Sequence, residues 1–382
     1  MTALPKGFRA HVANIGIKDG SDDFVVIAAD GPCAAAAVFT RSRFAGPSVV
    51  VSRANVANLR LQAYVVISKN ANVATGAEGR DNADEIVAAV AAKVGAAPSD
   101  VLIASTGVIG RQYQMDRIRA HLATLPVPSG TEAEAAARGI MTTDTVAKVA
   151  VASVGEATVV GIAKGVGMIE PDMATLITLF VTDAAIDPDV LDGSFRQVMD
   201  RTFNALSIDT DTSTSDTAAI MASGHAGPVD PIAFEGALHE VALSLTRQVA
   251  RDGEGATKLI EVMVDGARDA AQAKRVAKAI VNSPLVKTAV HGADPNWGRV
   301  AMAVGKCSDD TDIDEARVVI RFGDQEVYPA RLDDAALAAL GRYMRGDEVL
   351  IHVSLGIADG AFTVYGCDLS DGYIRINADY TT

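Results

Sequence analysis

Thr175 is the residue in this chain whose surroundings most suggest chemistry. It follows a stretch, KGVGMIEPDMA (164–174), with two glycines, a proline and a small Ala174, and it opens an apolar run, TLITLFVTD (175–183). Glycine and proline together can hold backbone in geometries an ordinary loop does not reach. A strained peptide bond before a hydroxyl residue is what an N→O acyl shift requires. Thr175 Oγ would attack the Ala174 carbonyl to form an ester, and water would open it to leave Thr175 as a new N-terminus. Its α-amine, with a reference pKa of about 7.7–8.0, could then act as general base for its own hydroxyl. No histidine would be needed, and none of the six histidines sits in an H-x-H or H-E-x-x-H pattern; His239-Glu240 has Leu243 where a second ligand would fall.

An acyl-transfer nucleophile needs an oxyanion hole. ASTGVIG (104–110) directly follows a strand-like run. There Thr106 offers a hydroxyl and Gly107 permits close approach of a backbone N–H; the plainer reading is a strand-to-loop turn. SIDTDTSTSDT (207–217) begins like a calcium loop, but Thr214 stands where glycine is needed and Ile220 where the bidentate Glu is needed. It reads better as a polar turn that satisfies backbone groups. DGEGATK (252–258) is not a phosphate loop, since Leu259 follows Lys258 and the glycine spacing is wrong. It leaves Glu254 on a tight turn, where a carboxylate could meet a substrate ammonium group or simply face solvent. HGADPNWGR (291–299) holds the only tryptophan, and Asp294, Asn296 and Arg299 could form a buried network, structural or functional.

The elements that must position these groups follow from hydrophobic periodicity. Strands are expected at 24–30, 35–40, 48–52, 64–68, 101–105, 149–154, 157–163 and 175–183, then at 258–264, 316–321, 349–355, 361–365 and 373–377. Helices are expected at 81–95, 114–124, 131–140, about 187–202, 233–250 and 268–281. The mixture implies an α+β fold of layered, largely antiparallel sheets and helices. At 382 residues, two lobes or one large layered core are expected.

Bulk properties exclude several classes. A net charge of −14 with no Lys/Arg run argues against nucleic-acid and anionic-membrane partners. The 49 % hydrophobic, 21 % charged composition is that of an ordinary globular chain. Three widely spaced cysteines without C-x-x-C argue against a disulfide framework or structural zinc and fit a reducing cytoplasm. No metal or cofactor is expected. The N-terminus lacks the apolar core of a signal peptide, and the longest apolar runs are too short to span a bilayer.

At these residues the chain resembles the ornithine acetyltransferase family, also called glutamate N-acetyltransferase, of the arginine pathway. The resemblance rests on STGVIG (105–110), MTTDT (141–145), AKGVGMIEPDMATL (163–176), DTSTSDT (211–217), DGEGATK (252–258), NSPLVKTA (282–289), DPNWGR (294–299), GCDL and the C-terminal INADYTT, in that order over nearly the whole chain. FTRSRFAGPSVV, TFNALSIDTDTSTSDT and GKCSDDTDID look most like the paralogues of clavulanic acid biosynthesis. The chain departs from the family pattern at Lys69 of Ser68-Lys69-Asn70-Ala71-Asn72, where glycine is common. It departs again at Thr210 and Ser215 of TDTSTSD, where GDTSTND is usual.

The resemblance implies a fold related to N-terminal-nucleophile hydrolases. It also implies self-cleavage between Ala174 and Thr175 into an α chain (1–174) and a β chain (175–382), assembled as a heterotetramer of two of each. It carries the nucleophile onto Thr175 and the oxyanion pair onto Thr106 and Gly107. Substrate contacts fall on Thr142, Lys164, Thr175, Glu254, Asn377 and Thr382. The implied reaction moves an acetyl group from N-acetylornithine to glutamate through acetyl-Thr175, with no cofactor. The residues leave open an enzyme that also accepts acetyl-CoA, an amidohydrolase or aminopeptidase on a similar scaffold, and an uncleaved binding protein.

Overall fold

The computed structural model describes residues 1–18, 20–170 and 176–379. Fourteen strands and eleven α-helices are found among them. In chain order the strands are β1 (Phe8–Ala13), β2 (Phe24–Phe39), β3 (Arg60–Ile67), β4 (Val101–Ser105), β5 (Lys148–Val154), β6 (Ala157–Lys164), β7 (Ile177–Ala185), β8 (Leu206–Ser207), β9 (Thr217–Pro228), β10 (Leu259–Ala267), β11 (Val319–Phe322), β12 (Gln325–Tyr328), β13 (Glu348–Ser354) and β14 (Gly360–Cys367). The first sheet runs β4-β3-β2-β9-β7-β6-β5, with β1 added to β2; the second runs β12-β11-β13-β10-β14-β8. Pairing is mostly antiparallel, as expected, with parallel pairs at β3–β4, β7–β9, β10–β13 and β8–β14.

Helices cover both sheets: α1 (Pro47–Asn55), α2 (Gly76–Val94), α3 (Met115–Thr124), α4 (Ala133–Gly139), α5 (Pro188–Arg201), α6 (Pro231–Arg251), α7 (Ala270–Val281), α8 (Pro284–His291), α9 (Trp297–Gly305), α10 (Asp334–Tyr343) and α11 (Asp371–Asp379). Helix α6 packs on β5 and β6 of one sheet and on β10 and β14 of the other. Its face of Phe234, Leu238, Val241, Leu245 and Val249 is buried at helical spacing. The α+β expectation of layered, largely antiparallel sheets and helices holds, with two sheets.

The middle of the first sheet shows why the two halves of the chain are interdependent. Strands β7 and β9, which follow residue 175, sit between β2 and β6, which precede it. Ala34 to Phe39 of β2 pair with Thr217 to Ala222 of β9, and Val159 to Lys164 of β6 pair with Ile177 to Thr182 of β7.

Two expected strands are helices. SVVVS (48–52) has strand-like composition, yet it lies in α1, which begins at Pro47 with its ring in the first turn. The reason is tertiary. Strand β4 is a sheet edge, and the Ser52 hydroxyl donates to the Ile103 carbonyl (2.6 Å) while accepting from the Ile103 N–H (2.8 Å). One side chain thereby closes the pair of backbone groups that an edge strand leaves open. Residues 373–377 fall within α11, where no residue is buried and Ile374 is 65 % exposed. The alternation Tyr-Ile-Arg-Ile-Asn therefore reflects no sheet face.

The strands expected at 24–30 and 35–40 are one, β2, with a register shift between Ala28 and Cys33 against β3. Pro32 lies at that irregularity, where no ladder donor is required. Strands β1, β8, β9 and β12 and helices α8 to α10 have no counterpart among the expected elements. Strand β9, alanine-rich but buried on both faces at Ala218 to Met221, is the clearest case of burial overriding propensity.

Candidate active site

A cavity of about 310 Å³ opens where the ends of β4, β6 and β7 meet the turn after α6 and the last helix. Its lining includes Thr106, Gly107, Thr142, Lys164, Glu254 and Asn377, six of the residues picked from the sequence, separated by up to 271 positions. The volume sits at the low end of small-molecule clefts. Thr175, Ala174 and Thr382 lie outside the described residues. Leu176 and Ile177, which follow Thr175, line the same cavity.

Thr106 directly follows the end of β4, and its N–H donates to the Ile67 carbonyl (3.2 Å). Lys164, the last residue of β6, donates from Nζ to Thr106 Oγ1 (3.2 Å). A hydroxyl that accepts from an ammonium group is polarised and directs its own hydrogen elsewhere. Gly107 has φ +134°, and a Cβ there would stand 2.2 Å from the Lys69 carbonyl carbon and 2.6 Å from the Asn70 nitrogen. Only glycine fits this approach of two backbone segments.

Lys164 is 8 % exposed, and burial pushes its ammonium below the usual lysine range, against the opposing pull of Asp144 and Glu254. Asp144 is the centre of a buried charge network. Its Oδ1 accepts from Lys148 Nζ (2.7 Å) and the Gly165 N–H (2.7 Å), and its Oδ2 accepts from the Thr142 N–H (3.1 Å). Lys148, with no exposed surface, also donates to Asp252 Oδ2 (2.6 Å). Burial alone would raise the Asp144 carboxyl, but Lys164, Lys148 and these hydrogen bonds outweigh it and hold it below the ordinary value. One carboxylate thus fixes the backbone on both sides of the cavity, at Thr142 and Gly165.

Glu254 projects from the turn between α6 and β10. Its N–H donates to the Val166 carbonyl (2.8 Å), and its carboxylate accepts from Asn377 Nδ2 (2.9 Å) and Thr143 Oγ1 (3.5 Å). Gly255, at φ +69°, lets the first turn of α11 sit against this turn, since a Cβ there would meet the Tyr373 nitrogen at 2.3 Å. That packing brings Asn377 to Glu254. Lys164 and Glu254 give the cavity opposite charges, the pattern that an amino-acid zwitterion complements.

The polar turn at 207–217 satisfies backbone groups, as its composition suggested. Asp209 accepts from the N–H groups of Met168 and Ile169 (both 2.7 Å), and the Asp211 carbonyl accepts from the Glu170 N–H (2.9 Å). This fastens the segment that leads to the Ala174–Thr175 bond, including Met168 at φ +55°. The same turn supplies two cavity-lining groups that sequence reasoning did not single out, Thr214 Oγ1 and Asp216 Oδ2, both buried and without a hydrogen-bond partner among the described residues. Asp144, Thr143 and Asp216 lay inside the quoted MTTDT and DTSTSDT stretches, so their signal was the density of short polar residues rather than any spacing.

The network anticipated at HGADPNWGR does not form. Asp294, Asn296 and Trp297 are exposed, Asn296 reaches Asp294 at 3.3 Å, and Arg299 donates instead to the Leu285 carbonyl (2.7 Å). Trp297 stacks on Tyr328 with ring centres 5.1 Å apart. Among the described residues, no group of three or more His, Cys, Asp or Glu is placed to hold a metal ion, and no helix is long and apolar enough to cross a membrane.

Comparison with known proteins places these observations in a family. Residues 9–382 match the model of the ArgJ family. The chain is similar to glutamate N-acetyltransferase Oat2 of Streptomyces clavuligerus, 63 % identical over 99 % of this chain and 98 % of that protein. It is also similar to arginine biosynthesis bifunctional protein ArgJ 2 of Nostoc sp., 55 % identical over 100 % of this chain and 99 % of that one. Among solved structures, arginine biosynthesis bifunctional protein argJ from Bacillus halodurans is 40 % identical, with a TM-score of 0.49 over 52 % of this chain and 96 % of that chain.

Proposed function

Because the chain belongs to the ArgJ family, we propose that it is a self-cleaving acetyltransferase that moves an acetyl group from N-acetylornithine to glutamate through an acetyl ester on Thr175. The observation that carries this reading is the convergence of Thr106, Gly107, Thr142, Lys164, Glu254 and Asn377 on one cavity at the start of β7. The chain would divide into an α chain (1–174) and a β chain (175–382). The alternation of their strands in one sheet means that the two would stay associated after cleavage. Assembly of two such pairs into a heterotetramer and residence in the cytoplasm complete the proposal.

In this mechanism Thr175 Oγ attacks the acetyl carbonyl of N-acetylornithine. The Thr175 amine takes the hydroxyl proton and returns it to the departing ornithine amine. The Thr106 hydroxyl, polarised by Lys164, and the Gly107 N–H stabilise the oxyanion. Lys164 has three N–H donors, so two remain for a substrate α-carboxylate. Glu254, steadied by Asn377 and Thr143, receives the amino group, and Thr142 and Thr382 complete the contacts. Glutamate then attacks acetyl-Thr175 and leaves as N-acetylglutamate.

The test is product formation with both substrates, each alone, and neither. N-acetylglutamate that appears only when N-acetylornithine and glutamate are both present supports transfer. Free acetate released at equal rates with and without glutamate would instead assign a hydrolase. An acetyl-CoA arm belongs in the same experiment, since the name of the Nostoc relative describes that protein as bifunctional.

A further inference from the structure

Self-cleavage has a proton problem that transfer does not. In the mature enzyme the free Thr175 amine serves as base, but in the uncut chain that nitrogen is a peptide nitrogen and cannot. Another group must take the hydroxyl proton and protonate the departing nitrogen.

Asp216 is placed for this. It immediately precedes β9, only 2 % of it is exposed, and it lines the cavity. Its Oδ2 is buried with no hydrogen-bond partner among the described residues. Its neighbour Thr217 is tied to the two residues after Thr175: the Thr217 N–H donates to the Leu176 carbonyl (2.9 Å), and Thr217 pairs with Ile177 in the parallel β7–β9 ladder. A carboxylate oxygen left bare in a low-dielectric interior costs far more than a neutral carboxylic acid there. Burial accordingly pushes this carboxyl well above the ordinary range, although hydrogen bonds from Ser213, Thr40 and the Leu176 backbone and the charge of Lys164 pull the other way.

We propose that the Asp216 carboxyl group is the proton carrier of self-cleavage. The inference rests on the reading of Thr175 as the cleavage nucleophile. A neutral carboxyl group is bifunctional, with one oxygen to accept a proton and one O–H to give. As Thr175 Oγ bonds to the Ala174 carbonyl carbon, its proton passes to the accepting oxygen of Asp216. As the Ala174–Thr175 C–N bond breaks, the acid proton passes to the Thr175 nitrogen. The carboxyl group ends neutral, an ester links Ala174 to Thr175 Oγ, and the amine is free. Water then opens the ester to an Ala174 carboxylate and the Thr175 hydroxyl.

The experiment follows the appearance of the two fragments in a cell-free synthesis time course for wild type, Asp216→Asn and Asp216→Ala, the last with and without formate. Intact mass gives the cut position, and thermal unfolding reports folding. The expected result is cleavage at least about 100-fold slower in Asp216→Asn, with formate speeding Asp216→Ala but not Asp216→Asn or wild type. A folded Asp216→Asn protein that cleaves at the wild-type rate overturns the inference. So does a slowed Asp216→Ala protein that formate leaves unchanged, since a purely structural carboxylate would behave that way. A wild-type chain that yields no fragment beginning at Thr175 overturns the nucleophile reading itself, so the two failures are distinguishable.

Discussion

Gly107→Ala is the substitution whose consequence follows most directly from the geometry. The added Cβ would lie 2.2 Å from the Lys69 carbonyl carbon, where a comfortable carbon–carbon separation is about 3.5 Å, so one segment must retreat by about 1 Å. Both neighbours are backbone, and φ at Gly107 is +134°, which an L side chain rarely adopts. The displaced group is the one assigned to the oxyanion. A misplacement of about 1 Å costs roughly 10²-fold, and loss of one oxyanion donor costs about 10²–10³ in kcat, or some 2.7–4 kcal/mol. The two routes agree on at least about 10². The assay is steady-state transfer from N-acetylornithine to glutamate on fully cleaved protein, with the cleaved fraction read on a denaturing gel and folding checked by thermal unfolding. A folded, cleaved Gly107→Ala enzyme with kcat within about threefold of wild type would refute the oxyanion role.

Further outcomes are expected. Lys148→Met removes the buried ammonium that Asp144 and Asp252 share, leaving Asp144 to Lys164 and its backbone donors, and should destabilise the protein by about 3 kcal/mol, seen as a clear fall in Tm; an unchanged Tm contradicts the network. Because the folded pKa of Asp144 lies below its ordinary value, its contribution is complete above that value and is lost as pH falls through the lowered one, so acid unfolding of wild type should include this term. The pH profile of kcat/KM should be bell-shaped. It rises through about 7.7–8.0 as the Thr175 amine loses its proton, then falls at a pH below the usual lysine range as Lys164 does. Lys164→Gln should lower the plateau and flatten the alkaline limb, and a retained limb would assign it elsewhere. Thr210→Gly should stabilise the fold by up to about 1 kcal/mol, since Thr210 has φ +68° and a non-glycine residue pays about 1–2 kcal/mol there; a lower Tm would mean that its side chain matters more than its backbone.

Candidate site residues stand out in the sequence where unusual residues concentrate. A threonine after a glycine- and proline-bearing stretch, a Thr-Gly pair directly after a strand and a glutamate between glycines are legible singly because each breaks a local rule. Two of the three departures from the family pattern acquire a physical meaning in three dimensions. Lys69 and Thr210 both stand at positive φ, +72° and +68°, in the conformation that favours glycine. Lys69 is held there in part by hydrogen bonds from its Nζ to Ser21. What could not be read was set by tertiary contact. Residues 48–52 form a helix because Ser52 closes the edge of β4. Asn377 reaches Glu254 because Gly255 lets α11 approach. Asp216 is distinctive only through burial that no local pattern encodes.

The central claim is that Thr175 carries the acetyl group. Its most direct test is to incubate the enzyme with N-acetylornithine alone, quench in acid and measure the intact masses of both fragments. The account predicts that the fragment beginning at Thr175 gains the mass of one acetyl group, on that residue, and loses it when glutamate is added before the quench. A single uncut chain, or turnover with no acetyl group on Thr175, would contradict it.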